Sequence, residues 1–324
     1  MDLISLYYFS EVTKDLHITQ TANRLYISQQ TLSNHILRLE KETGAPLLNR
    51  KPKLSLTYAG EFVLSFADAV LREQTNLTDI LSDIEQNERG VIRFGASTMR
   101  MNALTVIFPA FTARYPNVEL RLTSIISQTL EPMVANGGLD FAIVVSDKSD
   151  PDLFYEDLMQ DQIYLCVADP LLRRHYGDEA EEIKARSVRG ASLKDFSKLP
   201  FSIFTNSMGQ RIHTCFEEAG YAPRTLMTTE HMQICTTIGF QGAMAFFATQ
   251  ANLISRQAEI PADMNIFPLL CHEEPMYLRV SLVRHRQRYL TRFSKYFLEL
   301  LSGYGAAAEQ TPISRTASPE VLQY

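Results

Sequence analysis

Between positions 29 and 34 the chain reads Gln-Gln-Thr-Leu-Ser-Asn, and Gln29, Gln30, Ser33 and Asn34 carry amides and hydroxyls able to read base edges. Gln and Asn can hold adenine through two hydrogen bonds, and Ser can reach several bases. Their direction decides whether they do so. Leu32, Ile36 and Leu39 recur at i, i+4 and i+7, so a helix that buries them turns Gln30 and Asn34 outward and leaves Gln29 and Ser33 on one flank. Any solvated helix also shows a polar face. A second chemical cluster follows, however: Arg50, Lys51 and Lys53 fall within four positions with no acid among them, a set suited to phosphates or to the negative minor groove.

The elements around these residues must present them. Leu3, Leu6, Phe9 and Val12 repeat at helical spacing. A short second helix is expected behind Thr19 as its cap, with Ala22 and Leu25 on one face. Tyr26-Ile27-Ser28 is a break of turn length, Ser28 is a good N-cap, and a third helix runs from Gln29 to about Thr43, ending before Gly44. Two short helices joined by a tight turn have the shape of a helix-turn-helix, whose second helix enters the major groove by its N-terminal end. Residues 47–57 read as two short extended pieces around the basic tip, a wing. From Tyr58 to about Asn87 there is no Pro, and Phe62, Phe66, Ala69, Leu77, Ile80 and Ile84 fall at helical steps. A helix of ~30 residues is ~45 Å long, too long to bury its stripe on the first 57 residues, so pairing with a second copy of the chain is expected. Glu73 interrupts the stripe, which limits that contact.

Composition agrees with nucleic-acid binding only when it is read by segment. The 324 residues carry a net charge of −6, yet residues 1–57 hold seven basic side chains against five acidic ones, a net of +2, which leaves −8 for the rest. The longest apolar runs, such as 242–247, fall far short of the ~20 residues of a membrane span. No secretory signal pattern opens the chain, and a cytoplasmic location is expected. Cys166, Cys215, Cys235 and Cys271 show no metal spacing and read as buried thiols, with a redox pair of Cys215 and Cys235 as the minority reading. The Gly-Xaa-Ser-Xaa-Gly elbow, the Walker loop, the Gly-Xaa-Gly-Xaa-Xaa-Gly turn and paired His/Glu metal motifs are all missing, so nothing supports an enzyme. His35 is better explained by DNA or by the surface than by acid-base work.

After Gly90 strands and helices alternate: 91–95, 118–123 and 140–145 as strands, with helices at 101–114 and 129–135. A second set has strands at 162–168, 201–205 and 225–229 and helices at 210–219 and 232–238. Residues 279–283 and a terminal helix at 289–301 return to the first set. Such alternation implies parallel strands with crossover helices. The charged stretch 178–189 is expected to be a surface loop or an irregular helix, and the Ala/Ser/Thr/Pro-rich tail 303–324 to be disordered.

The order of parts is recognisable. Thr21-Ala22-Asn23-Arg24-Leu25-Tyr26-Ile27-Ser28-Gln29-Gln30-Thr31-Leu32-Ser33, then Leu39-Glu40, Gly44, Leu47-Leu48-Asn49-Arg50 and Leu56-Thr57-Tyr58-Ala59-Gly60, resembles the N-terminal domain of LysR-type transcriptional regulators. Gly90-Val91-Ile92-Arg93-Phe94-Gly95, Tyr115-Pro116-Asn117-Val118 and Gly138-Leu139-Asp140-Phe141-Ala142-Ile143 look like the start of that family's effector domain. The resemblance spans residues 1 to about 302. It implies an all-α winged helix-turn-helix over 1–58, a dimerising linker helix over 59–88, and an α/β effector domain over 90–302 with two lobes like the type 2 periplasmic binding proteins. Lobe 1 is expected at about 90–161 and 267–302, and lobe 2 at about 162–266. Assembly as a homotetramer on promoter DNA is implied, with RNA polymerase as a further partner.

Base contact then falls on Gln29, Gln30, Ser33 and Asn34, phosphate contact on Thr31 and Arg38, and wing contact on Arg50 and Lys53. Gln30 stands where the family often has Pro, Leu48 where Phe is usual and Thr21 where Ala is usual. The first departure bears on operator preference and the others on packing. By analogy a small-molecule effector, with no other cofactor, sits between the lobes. The matching positions are Ser97, Thr98 and Met99, Ser127 and Gln128, Val145 and Ser146, and Thr205 and Asn206. Hydroxyls and amides at helix N-termini suit a carboxylate, although each is equally a plain helix cap. Arg100 either pairs with such an anion or is a surface residue. The same family sensing redox state, and a solute-binding protein, are the alternatives.

Overall fold

The computed structural model describes residues 1–85, 88–125, 129–145, 150–311 and 313–317. Its first three helices are α1 (Leu3–Asp15), α2 (Ile18–Arg24) and α3 (Gln29–Thr43). Asp2 caps α1 by accepting the Ser5 N–H at 2.9 Å, and Ser28 caps α3 by accepting the Thr31 N–H at 3.0 Å. Gly44 closes α3 in the left-handed conformation that a glycine adopts without a Cβ clash. The cap of α2 is His17 and not Thr19, its Nδ1 accepting the Gln20 N–H. Leu6, Phe9, Val12, Ala22, Leu32, Ile36 and Leu39 close a small core.

Strands β1 (Leu48–Asn49) and β2 (Ser55–Leu56) pair antiparallel and leave 50–54 as the tip of the wing. Helix α4 (Tyr58–Ile84) follows, 27 residues and so about 40 Å long. Its first turn presses on the wing because residue 60 is Gly: a Cβ there would sit 2.2 Å from the Leu47 carbonyl oxygen. Val63, Leu64, Ala67 and Val70 pack on the N-terminal core, whereas Tyr58, Phe62, Phe66, Leu77, Leu81 and Ile84 are exposed.

Lobe 1 opens with β3 (Gly90–Ala96), α5 (Thr98–Ala103), α6 (Phe108–Arg114), β4 (Val118–Ser124), α7 (Leu130–Ala135) and β5 (Phe141–Val144). The long β6 (Leu153–Ala168) leads into α8 (Asp169–Tyr176), α9 (Glu179–Ser187), β7 (Pro200–Phe204), α10 (Ser207–Ala219), β8 (Arg224–Thr229) and α11 (Met232–Gly239). Then come β9 (Phe246–Thr249), α12 (Gln250–Ser255), β10 (Met264–Pro268), β11 (Leu270–Cys271), β12 (Glu274–Pro275), β13 (Tyr277–His285) and α13 (Arg292–Gln310). Strand β3 lies parallel between β4 and β5, with β13 antiparallel beyond β5. The first part of β6 pairs with β13 and the last part with β9 and β10, so one strand runs through both lobes. Each lobe has its own core, around Phe94, Phe111, Phe141 and Phe297 in lobe 1 and around Phe201, Phe216, Phe247 and Phe267 in lobe 2.

Four further expectations change. The single helix expected at 101–114 is two, α5 and α6, joined by a tighter turn; Pro109 lies in the first turn of α6, where its missing N–H breaks no helical bond. The stretch 178–189 contains the regular helix α9, because Ala180 and Ile183 bury and Lys184, itself buried, pairs with Asp169 at 2.9 Å. The chain returns to lobe 1 later than position 267: Phe267 and Leu269 lie in the lobe 2 core, and Leu278 on β13 still packs there.

The fourth change is the tail. Through residue 317 the described part is ordered on the protein, since α13 runs to Gln310 with Ala308 buried. Gly305 permits this approach, as a Cβ there would lie 2.3 Å from the Leu158 carbonyl oxygen. Buried amides then hold the backbone: Gln250 Nε2 donates to the carbonyls of Ala308 and Thr311, and Asn265 Oδ1 accepts the Ala317 N–H. Composition could not show these partners.

Candidate functional site

The N-terminal face presents the expected readers. Gln29, Gln30, Thr31 and Asn34 are exposed along the first turns of α3 and Ser33 is half-buried on its flank. Gln29 Oε1 accepts from the Thr19 hydroxyl at 3.2 Å, and Thr31 shares a 2.8 Å hydrogen bond with the capping Ser28. Arg38 is exposed yet occupied, pairing with Asp2 and donating to Ser5 Oγ at 2.8 Å, so it ties α3 to α1. In the wing Lys53 is exposed, while Arg50 reaches Glu40 at 3.3 Å. Glu40 also accepts the Leu47 N–H and thereby sets the wing on α3. His35 differs from expectation: it is half-buried, its Nδ1 lies 2.9 Å from Ser5 Oγ, and its ring meets Tyr8 edge-on at 4.8 Å. It serves helix packing.

Between α4 and lobe 1 lies a polar joint that sequence reasoning missed. Asn76, 5% exposed in the middle of α4, accepts from Arg288 Nη1 at 3.1 Å and from the Tyr289 N–H at 3.0 Å, and donates to the Gln287 carbonyl at 2.9 Å. Arg288 also pairs with Asp79 at 2.6 Å and with Asp140 at 3.0 Å, and Asp140 accepts the backbone N–H of Arg93. Burial raises the pKa of Asp79, with Arg288 opposing. A turn further on, Tyr289 donates to Asp83. A cavity of about 20 Å³ beside Arg72, Arg93, His285 and Arg288 has room for one water. Asn76, Asp79 and Asp83 at i, i+3 and i+7 were a readable polar stripe; their partners, 206 to 213 positions away on the chain, were not.

The expected effector positions divide. Ser97 precedes α5 as its cap residue without making a side-chain cap bond. Thr98 is exposed and hydrogen-bonds Ser124 at 2.8 Å. Met99 packs on the lobe 2 core, with the Thr249 hydroxyl 3.9 Å from its sulfur, and Val145 touches the cores of both lobes. Thr205 is exposed; Asn206 is a helix cap, accepting the Gly209 N–H. Ser127, Gln128 and Ser146 lie outside the described residues.

Arg100 is neither exposed nor free. It is 5% exposed and lies 3.1 Å from Asp161, which is fully buried on β6. The other Asp161 oxygen accepts the Ala251 N–H at the start of α12, so this pair joins α5 of lobe 1 to the strand and helix at the lobe junction. Tyr304 on α13 is close enough to feel both charges: burial first, then Asp161, push its pKa up to about 12. Among the thiols, Cys215 neighbours Cys271, and burial and that neighbour both raise its pKa. Cys235 faces Ser202 instead.

Comparison with known proteins follows the same division of the chain. The family pattern described as a bacterial regulatory helix-turn-helix protein of the lysR family matches residues 3–61, and the LysR substrate binding domain matches 85–305. The chain belongs to the LysR family. This LysR-type protein is 27% identical over 237 residues to the Hca operon transcriptional activator HcaR of Escherichia coli, covering 72% of this chain and 77% of the relative. A full-length OxyR variant from Pseudomonas aeruginosa superposes with a TM-score of 0.67 at 16% identity, covering 97% of this chain and all of that one. Full-length CbnR bound to its target DNA gives 0.55 at 18% identity over 94% of this chain and all of that one. Those structural matches speak to the fold: an N-terminal helix-turn-helix and a two-lobed α/β domain. The chain is thus a DNA-binding transcriptional regulator with an effector-binding domain. No described helix is long and apolar enough to cross a membrane.

Proposed function

We propose that this LysR-type regulator reads an operator through Gln29, Gln30, Ser33 and Asn34 and anchors on phosphates through Thr31, Lys53 and, in part, Arg50 and Arg38. The observation that carries this reading is the exposed polar start of α3 beside an exposed basic wing on one small domain. Two copies present two such faces when the exposed side of α4 pairs with itself, and half-sites then lie about one helical turn apart, or multiples of it across a tetramer. It acts in the cytoplasm and catalyses no reaction. Its input is a small carboxylate held between the lobes near Ser97, Thr98, Met99, Val145, Thr205 and Asn206, with Ser127, Gln128 and Ser146 completing the site. Asn206 contributes through the helix end it caps and not by direct contact. A ligand that favours one lobe arrangement shifts the population and changes the spacing of the DNA-binding heads.

The test is a footprint of the purified protein on the DNA upstream of its own gene and its divergent neighbour at two salt concentrations, followed by selection from random sequences. Salt-dependent, sequence-specific protection is expected; failure in both overturns the reading. Asn34→Ala is expected to relax discrimination at one base position by about 1–3 kcal/mol, whereas Lys53→Ala weakens all sequences alike and lowers the salt slope by about one. Equal losses on every sequence for Asn34→Ala would remove it from the readers. Phe62→Glu, on the exposed face of α4, is expected to weaken self-association by about 2 kcal/mol, the value of a buried aromatic. Analytical ultracentrifugation measures this, and an unchanged association constant places the contact elsewhere.

A further inference from the structure

On the surface of lobe 2 the hairpin formed by β11 and β12 meets the last turn of α10. Glu218 from α10 and Cys271 and His272 from the hairpin each offer one ligand atom there, and the three atoms lie within 4.8 Å of one another. His272 Nδ1 is 3.6 Å from Glu218 Oε2, and the His272 N–H donates to the same carboxylate. The Cys271 sulfur, half-buried, lies 3.8 Å from the Thr214 hydroxyl.

We propose that Glu218, Cys271 and His272 form a binding site for a divalent transition-metal ion of zinc-like softness, separate from the cleft between the lobes. One thiolate, one imidazole and one carboxylate form a borderline donor set, which favours zinc or cobalt over magnesium or calcium. Zinc bonds of about 2.0–2.3 Å place neighbouring donor atoms about 3.3–3.8 Å apart in a tetrahedron, so closure from 4.8 Å requires a shift of about 1 Å. Side-chain rotation supplies it, because His272 is exposed and the carboxylate is on a flexible stem. The charges also balance: thiolate and carboxylate offset the two positive charges of the metal, and the thiol proton leaves to solvent on binding. Lys194, whose Nζ is 3.9 Å from Glu218 Oε1, is the cation the metal displaces. Three protein donors leave a fourth position open to water or to a further ligand. Occupancy fastens the hairpin to α10, whose opposite end carries Asn206 at the cleft.

The test uses full-length, reduced protein treated with chelator and titrated with cobalt(II). One equivalent is expected to bind with a thiolate-to-cobalt charge-transfer band in the near ultraviolet. Cys271→Ser is expected to abolish that band, and His272→Ala and Glu218→Gln to weaken binding at least about tenfold. Cys235→Ser, a buried thiol away from the site, is expected to keep both band and affinity. A charge-transfer band that survives Cys271→Ser, binding without any such band, or wild-type affinity in both His272→Ala and Glu218→Gln would each overturn the assignment.

Discussion

Asp161→Ala is expected to destabilise the effector-binding domain by about 3–5 kcal/mol, the cost of breaking a buried ion pair from one side. It strands the Arg100 guanidinium, 5% exposed, with no counter-ion, and removes the acceptor of the Ala251 N–H. The penalty comes from the orphaned charge more than from the lost attraction. A double substitution that replaces both partners, Arg100→Met with Asp161→Leu, is therefore expected to recover most of the loss. Denaturant unfolding of the wild type, Asp161→Ala and the double variant measures it. A loss below about 1 kcal/mol for Asp161→Ala would mean that water reaches the pair and that the lobe junction is open. Because Arg100 directly follows Ser97, Thr98 and Met99 on the chain, the single variant is also expected to weaken effector binding, and the double variant to restore less of that than of stability.

The second large effect concerns the joint between α4 and lobe 1. Arg288→Ala removes the group that holds Asp79, Asp140 and the Asn76 amide together, and leaves two carboxylates facing each other in a partly buried space. About 3 kcal/mol of docking is expected to be lost. The N-terminal domain folds on its own core around Phe9, Leu32 and Ile36, so specific DNA affinity is expected to persist. What should fade is its dependence on the effector, since the joint is the described path by which lobe 1 holds the helix that carries the DNA-binding head. Hydrogen exchange at 76–84 should rise severalfold in the variant. Unchanged protection there, with normal effector response, would show that the joint carries no coupling.

Much of the molecule was legible before any coordinates. The helical period of Leu32, Ile36 and Leu39, the cap at Ser28 and the stop at Gly44 determine both the boundaries of α3 and which side chains point away from the core. Strands rich in Val, Ile and Phe, such as 141–144, and the single Gly60 on the way into α4 are likewise local statements, carried by a few neighbouring residues. Local pattern also exposed the apolar side of α4. It misjudged the elements whose stability comes from distant partners. Lys184 and Asp169 make a helix of a charged stretch, and Gln250 and Asn265 order a tail that composition marks as loose.

The sequence by itself determined the bounds of α3 and which of its faces turns away from the core, because periodicity and capping act within one or two turns of the backbone, and its family resemblance implied a winged helix-turn-helix joined to a two-lobed α/β domain. Only the tertiary structure decided that Arg100 is the buried partner of Asp161, that Asn76 docks on Arg288, that Cys271 and not Cys235 is the neighbour of Cys215, and that Glu218 meets His272. Those pairings join residues 54 to 212 positions apart, and a charged or thiol side chain gives no local sign of which distant group will neutralise it. Burial chooses the partner, and burial is a property of the packed chain.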